Sequence, residues 1–186
     1  MIQTIVFQNL KARIWRLLAN FVKNHAMIKV LVFDWGDTVM LDFGFQGPMA
    51  NWPKVAWVPG AQKLLEVVYL KYRCVIATSA DHSDVNNIRM ALRRVGAEQY
   101  FHHFYSQIEL GFKKPEPRFF SEVLRLSGFE PHESMMIGNL YDKDIIGAKE
   151  IGMVTVLFNE QSVSGSFPLA DYVIQNFSQL EKILLK

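Results

Sequence analysis

From Ile28 onward, short unbroken runs of apolar residues alternate with stretches in which apolar residues return every three or four positions. An unbroken run bounded by turn residues reads as a strand buried on both faces, and the longer period reads as an amphipathic helix. Ile28 to Phe33 is accordingly predicted as a first strand that stops at Asp34. Pro59 and Gly60 introduce a helix running to about Lys71, followed by a strand from Cys74 to Ala77 and a polar turn at Thr78 and Ser79. Val85 to Val95 reads as a helix ended by Gly96, His103 to Tyr105 as a short strand, and Pro117 to Leu126 as a helix ended by Gly128. Ser134 to Ile137 and Met153 to Phe158 are strands on either side of a short helix, Ile145 to Ile151. Tyr172 to Ile174 and Leu180 to Leu185 supply a last strand and helix.

Such alternation predicts a Rossmann-like three-layer α/β/α sandwich with a mainly parallel sheet. In open sheets of this kind ligands bind outside the carboxyl ends of the strands. Four strand ends therefore matter: Asp34, Thr78, the loop leading to Lys114, and the Gly138-Asn139 turn before Asp144. No internal repeat or low-complexity linker divides the chain.

Residues 1–26 stand apart, since Lys11, Arg13, Arg16 and Lys23 occur there without a single Asp or Glu. Ile14, Leu17, Leu18, Phe21 and Val22 recur at helical spacing, which predicts a basic amphipathic extension ahead of a domain spanning residues 27–186. Packing on the domain, contact in a homo-oligomer, a membrane-surface helix, a targeting peptide and a translation start at Met27 all stay open for this segment. A secretory signal does not fit, because charges interrupt any apolar core.

Composition narrows the class. Of 186 residues, 50% are hydrophobic and 20% charged, a globular balance with enough chain for one α/β domain. The formal net charge of +2 is too weak a basic bias to point to nucleic acid. With Cys74 as the sole cysteine, no intramolecular disulfide or thiolate metal cluster forms, and a reducing, cytoplasmic setting is expected. No apolar stretch approaches the roughly 20 residues of a membrane-spanning helix.

Taken singly, the strand-end residues are weak signals, but their order is specific. Asp34 with Thr38, then Thr78, then Lys114-Pro115, then Gly138 with Asp144 resembles the haloacid dehalogenase superfamily of hydrolases and phosphatases, over roughly Ile28 to Lys186. The resemblance implies an Mg²⁺-dependent phosphatase acting on a phosphorylated small molecule, with Asp34 as nucleophile and an aspartyl-phosphate intermediate. It also implies catalytic roles for Thr78 and Lys114, substrate contacts at Thr38, Ser79 and Lys114, and a metal held by Asp34, the Gly36 carbonyl, Asn139 and Asp144. The chemistry is coherent: a carboxylate attacking a phosphate needs a cation between like charges, and a lysine and a hydroxyl to balance the equatorial oxygens.

Two positions depart from the family pattern. Its phosphatases read Asp-x-Asp-Gly-Thr after the first strand, whereas this chain reads Asp34-Trp35-Gly36-Asp37-Thr38. The family's second aspartate exchanges a proton with the leaving group and then with water, which Gly36 cannot do. Asp37 takes over if the loop shifts by one residue; otherwise it is a turn residue. Asn139 stands where the family usually has aspartate, which removes one negative metal ligand, and Asp142 is either a partial substitute or a surface charge at the start of a helix. The stretch Val39 to Val58 is too short for the cap domain many relatives insert, and its Phe43, Phe45, Trp52 and Trp57 predict an aromatic loop that either shields the site or binds substrate, or packs as an ordinary long loop. Two further readings stay open: a catalytically silent descendant that binds a phosphorylated ligand or protein partner, and a hydrolase acting on another bond.

Overall fold

The computed structural model describes residues 28–185; the expectations for residues 1–26 lie outside them. Six strands form one sheet: β1 (Val30–Phe33), β2 (Arg73–Thr78), β3 (His103–Ser106), β4 (Ser134–Gly138), β5 (Val154–Phe158) and β6 (Tyr172–Ile174). Their order is β3-β2-β1-β4-β5-β6, and every pairing is parallel. Parallel neighbours need crossovers, and the helices supply them: α1 (Ala61–Val68), α2 (Val85–Arg94), α3 (Gln107–Leu110), α4 (Pro117–Ser127), α5 (Ile146–Glu150) and α6 (Phe177–Leu184).

Residues of period two divide the sheet between two cores. Leu31, Phe33, Cys74, Ile76, Met135 and Ile137 point to one face, where Leu64 and Leu65 of α1, Ile88 and Leu92 of α2 and Leu180 of α6 cover them. Val30, Val32, Val75, Ala77 and Met136 point to the other, under Phe119, Phe120, Val123 and Leu124 of α4 and Ala148 of α5. All these side chains are nearly or wholly buried, the Val, Leu, Ile, Phe and Met among them contributing about 1.5–3 kcal/mol each relative to exposure and the alanines less. The predicted three-layer sandwich is therefore the observed one.

Element ends follow local chemistry. The Asp84 carboxylate accepts from the Asn87 N–H at 2.7 Å to start α2, and Gly128, at φ 77°, stops α4 in the left-handed region. Several elements depart from the sequence expectations, most of them by one residue at an end, and α1 stops at Val68, three residues short of Lys71. The first strand begins at Val30, two residues into its apolar run, with exposed Lys29 before it. Helix α6 opens at Phe177, three residues early, because Asn176 and Gln179 form a reciprocal capping box. Helix α3 was not expected; the Ser106 hydroxyl caps it and Gly111 ends it within a turn. The predicted helix Ile145 to Ile151 is preceded by a π-helical turn, Tyr141–Ile145. Among the described residues, no helix is long and apolar enough to cross a membrane.

Candidate active site

The order of strands reverses between β1 and β4, which opens a crevice at their carboxyl ends. A cavity of about 420 Å³ lies there, lined among others by Asp34, Gly36, Asp37, Thr78, Ser79, Lys114, Asn139 and Asp144. Asp34 continues the ladder one residue past β1, its N–H donating to the Ile137 carbonyl at 2.8 Å, so its backbone is fixed at the reversal point. The Lys114 ammonium, 1% exposed, donates to Asp34 Oδ1 at 2.7 Å and to Asp144 Oδ1 at 2.8 Å. Burial works against this ammonium, but the charges of Asp144 and Asp34 and their hydrogen bonds outweigh it and raise its pKa. Burial likewise pushes the Asp144 carboxyl upward, only partly opposed by Lys114.

Asp144 reaches this spot through two features of its surroundings. The π-helical turn widens the backbone ring and turns the side chain inward, where Oδ2 accepts from the Leu140 N–H at 2.9 Å. Gly138 leaves the space: a Cβ there would lie 2.3 Å from Asp144 Cγ. The lysine is positioned from behind, its own N–H donating to Ser79 Oγ at 2.8 Å, and the peptide to Pro115 is cis. Ser79 thus reaches the cavity while securing Lys114. Thr78, buried at the end of β2, accepts from the Ala80 N–H at 3.2 Å.

The buried Thr38 hydroxyl lies 3.4 Å from Asp34 Oδ2 and 3.2 Å from Asn139 Oδ1, and its single proton can serve either. The turn that carries it is tight, because the Val39 and Met40 N–H groups both donate to the Trp35 carbonyl, at 2.9 and 3.0 Å. Asp37 sits in that turn at φ 53°, a left-handed conformation that Asp and Asn tolerate. Its carboxylate accepts from the Asp42 N–H at 2.9 Å and holds the next loop. Partial withdrawal from water raises the Asp37 pKa, against that hydrogen bond and with help from the charges of Asp42 and Asp34.

Residues 43–57 fold over one side of the cavity, bringing Phe45, Met49 and Trp52 to its wall. The loop is fastened to α2 by Arg94, whose guanidinium donates to the carbonyls of Ala50 at 3.0 Å and Trp52 at 2.6 Å. Trp57 Nε1 adds a bond to the Val95 carbonyl at 2.9 Å. The aromatic loop therefore both packs on the domain and walls the site. Asp142 does not line the cavity; it is exposed on the π-helical turn, so it is no substitute for the charge missing at Asn139. Asp42, Asp81, His82 and Lys143 do line it and were missed in the sequence. Only Asp42 had a readable signal, the Asp-x-Gly turn with Gly44, whose N–H donates to Asp42 Oδ1 at 2.8 Å.

Residues 40–158 match the model of the haloacid dehalogenase-like hydrolase family. The chain belongs to that family. The match starts beyond Asp34, so the first strand's part in the site rests on the geometry above and on the resemblance of its motif. The chain is similar to a glyceraldehyde 3-phosphate phosphatase of Methanothermobacter thermautotrophicus, 35% identical over 50% of this chain and 44% of that protein. It is also similar to the glyceraldehyde 3-phosphate phosphatase of Pyrococcus furiosus, 34% identical over 68% of this chain and 54% of that protein. The chain thus spans about half the length of these curated relatives. In three dimensions it resembles a haloacid dehalogenase-type phosphatase from Thermococcus onnurineus, with TM-score 0.71 and 20% identity over 84% of this chain and 98% of the other. A 2-haloacid dehalogenase from Pseudomonas syringae gives TM-score 0.70 and 20% identity over 86% and 99%. These two likenesses establish the shared fold of the family.

Proposed function

We propose that this family member is an Mg²⁺-dependent phosphatase that hydrolyses a phosphate monoester through an aspartyl-phosphate on Asp34. The observation that carries this reading is the convergence of Asp34, Lys114, Asp144 and Thr78 on one cavity at the strand-order reversal; Thr38, expected to touch substrate, is instead buried out of the cavity wall against Asp34 Oδ2. The curated relatives named as phosphatases support it.

The donor set fits a small hard cation. Asp34, Asp144, the Asn139 amide oxygen and the Gly36 carbonyl are all oxygen ligands, the kind Mg²⁺ prefers. Among the described residues no group of three His, Cys, Asp or Glu side chains is placed to hold a metal ion, so this set depends on two carboxylates and two neutral oxygens. When bound, Mg²⁺ supplies positive charge that screens nucleophile from substrate. Asp34 attacks phosphorus as the bond to the leaving oxygen breaks. Lys114 keeps the two carboxylates apart and offers its charge to the phosphoryl oxygens, and Thr78 contributes its hydroxyl to the same oxygens. Thr38 orients Asp34 through Oδ2.

A screen of phosphorylated metabolites with and without Mg²⁺, beginning with glyceraldehyde 3-phosphate, tests the proposal. Turnover should need Mg²⁺, and Asp34→Asn should abolish turnover and the covalent adduct together, because an amide is too poor a nucleophile. Gly36 and Asn139 favour a second reading, a silent protein that binds phosphorylated ligands. Ligand binding with no adduct and no turnover on any ester would replace the first reading with the second.

A further inference from the structure

Gly36 leaves the site without the carboxylate that its chemistry calls for, and the cavity wall holds a further carboxylate, Asp42. A Cβ built on Gly36 would have only Asp42 near it, with Asp42 Oδ2 at 3.8 Å and Asp42 Cβ at 3.8 Å. The space in front of Gly36 is therefore already furnished with a carboxylate, delivered from six residues further along the chain. Its orientation is defined. Oδ1 is engaged by the Gly44 N–H at 2.8 Å, and the Asp42 N–H is engaged by Asp37 Oδ1 at 2.9 Å. Oδ2 remains the oxygen turned toward Gly36, and both residues line the same cavity as Asp34. Asp37 likewise uses one carboxylate oxygen, Oδ1, to accept a backbone N–H, but its own backbone lies inside the turn at φ 53°, and it is the Asp42 carboxylate that stands in front of Gly36.

We propose that Asp42 is the group that exchanges protons with the leaving oxygen and the hydrolytic water, with Asp37 as the residue that positions it. The inference rests on the phosphatase reading above. In the first step an Asp34 oxygen bonds to phosphorus, the bond from phosphorus to the ester oxygen breaks, and Asp42, entering protonated, gives that oxygen its proton to release an alcohol. In the second step the Asp42 carboxylate takes a proton from water while the water oxygen bonds to phosphorus and the Asp34 to phosphorus bond breaks. Phosphate leaves, and Asp42 is protonated again as at the start. Net, one ester and one water give one alcohol and one phosphate. The device also explains why the loop after β1 turns so sharply: the left-handed Asp37 and the bonds onto the Trp35 carbonyl bring Asp42 back beside Gly36.

The test compares full-length wild type with Asp42→Asn, which retains an acceptor for the Gly44 N–H, on esters that differ in leaving-group basicity. Rates are measured with Mg²⁺ on an alkyl phosphate and on p-nitrophenyl phosphate, and the Asp34 adduct is quantified by acid quench and mass spectrometry. Asp42→Asn should lose about 10²–10⁴-fold on the alkyl ester and much less in forming the adduct from p-nitrophenyl phosphate, whose leaving group needs no proton. The adduct should then accumulate, because its hydrolysis lacks a base. Asp37→Asn, which acts through Asp42, should show the same leaving-group dependence with a smaller loss, and a larger alkyl-ester loss in Asp37→Asn than in Asp42→Asn would overturn the assignment. Adding Gly36→Asp to Asp42→Asn should restore part of the alkyl-ester rate, since the space in front of Gly36 admits a Cβ. Wild-type behaviour of Asp42→Asn on both esters would overturn the assignment while leaving the phosphatase reading intact. Absence of any adduct or turnover in wild type would overturn that reading, and this one with it.

Discussion

Replacing Lys114 by Met removes the cation in contact with Asp34 and Asp144 at the base of the cavity, and the structure sets the size of the effect. The Lys114, Asp34 and Asp144 side chains are 1%, 14% and 2% exposed, so neither contact is a surface ion pair. Breaking a buried pair by removing one partner costs about 3–5 kcal/mol. Asp34 faces the cavity and regains some water, which favours the lower part of that range. Against a domain stability of about 5–15 kcal/mol this is a large fraction. With a urea m-value of about 2 kcal/mol/M, the midpoint in chelator-treated buffer should fall by about 1.5–2 M. Combining Lys114→Met with Asp144→Asn should return part of the loss, because the second change removes one orphaned charge. Neighbours in one network couple by about 0.5–3 kcal/mol. Additive single changes, or a midpoint that does not move in Lys114→Met, would refute the buried three-charge arrangement. Mg²⁺ should stabilise Lys114→Met more than wild type, since the freed carboxylates bind it without competition from the ammonium.

Burial pushes the Cys74 thiol up to about 12, so near neutral pH its thiolate is about 10³-fold scarcer than at an ordinary cysteine. Labelling by a disulfide reagent should follow unfolding in urea, and rapid labelling of the native protein would contradict the placement of β2. Gly147→Ala would set a Cβ 2.0 Å from the Pro115 carbonyl oxygen, which is backbone and cannot swing away. A loss of about 1–3 kcal/mol by urea unfolding is expected, and an unchanged midpoint would contradict the close approach of α5 to the Lys114-Pro115 segment.

Much of this architecture was legible because a doubly covered parallel strand writes itself as an unbroken apolar run. Cys74 to Ala77 lies within β2, and Ser134 to Ile137 within β4. Pro117 and Gly128 bracket α4 for equally local reasons, a fixed φ at one end and a left-handed residue at the other. The residues Asp34, Thr78, Lys114 and Asp144 could be grouped from sequence because parallel strands deliver their carboxyl ends to one edge. Chain geometry that has no period was not legible. The π-helical turn that brings in Asp144 differs from an α-helix by one residue per hydrogen-bonded ring, too little to mark a sequence. The position of Asp42 depends on the sign of φ at Asp37, which residue type permits but does not dictate. The capping box at Asn176 and Gln179 was present in the letters and could have been read.

The attachment of residues 43–57 has a consequence for how this protein can change over generations. Arg94 and Trp57 fasten that loop through carbonyl oxygens, of Ala50, Trp52 and Val95, and every amino acid carries one. The path of the loop is set by Arg94, by the Trp57 indole and by the buried Met49, Ala50 and Trp52, and this leaves Phe45 the freer position. Phe45, 43% exposed at the cavity wall, can drift in size and polarity while the fastening persists. Selection can retune what the entrance admits by single substitutions, without redesigning the sheet that carries the chemistry.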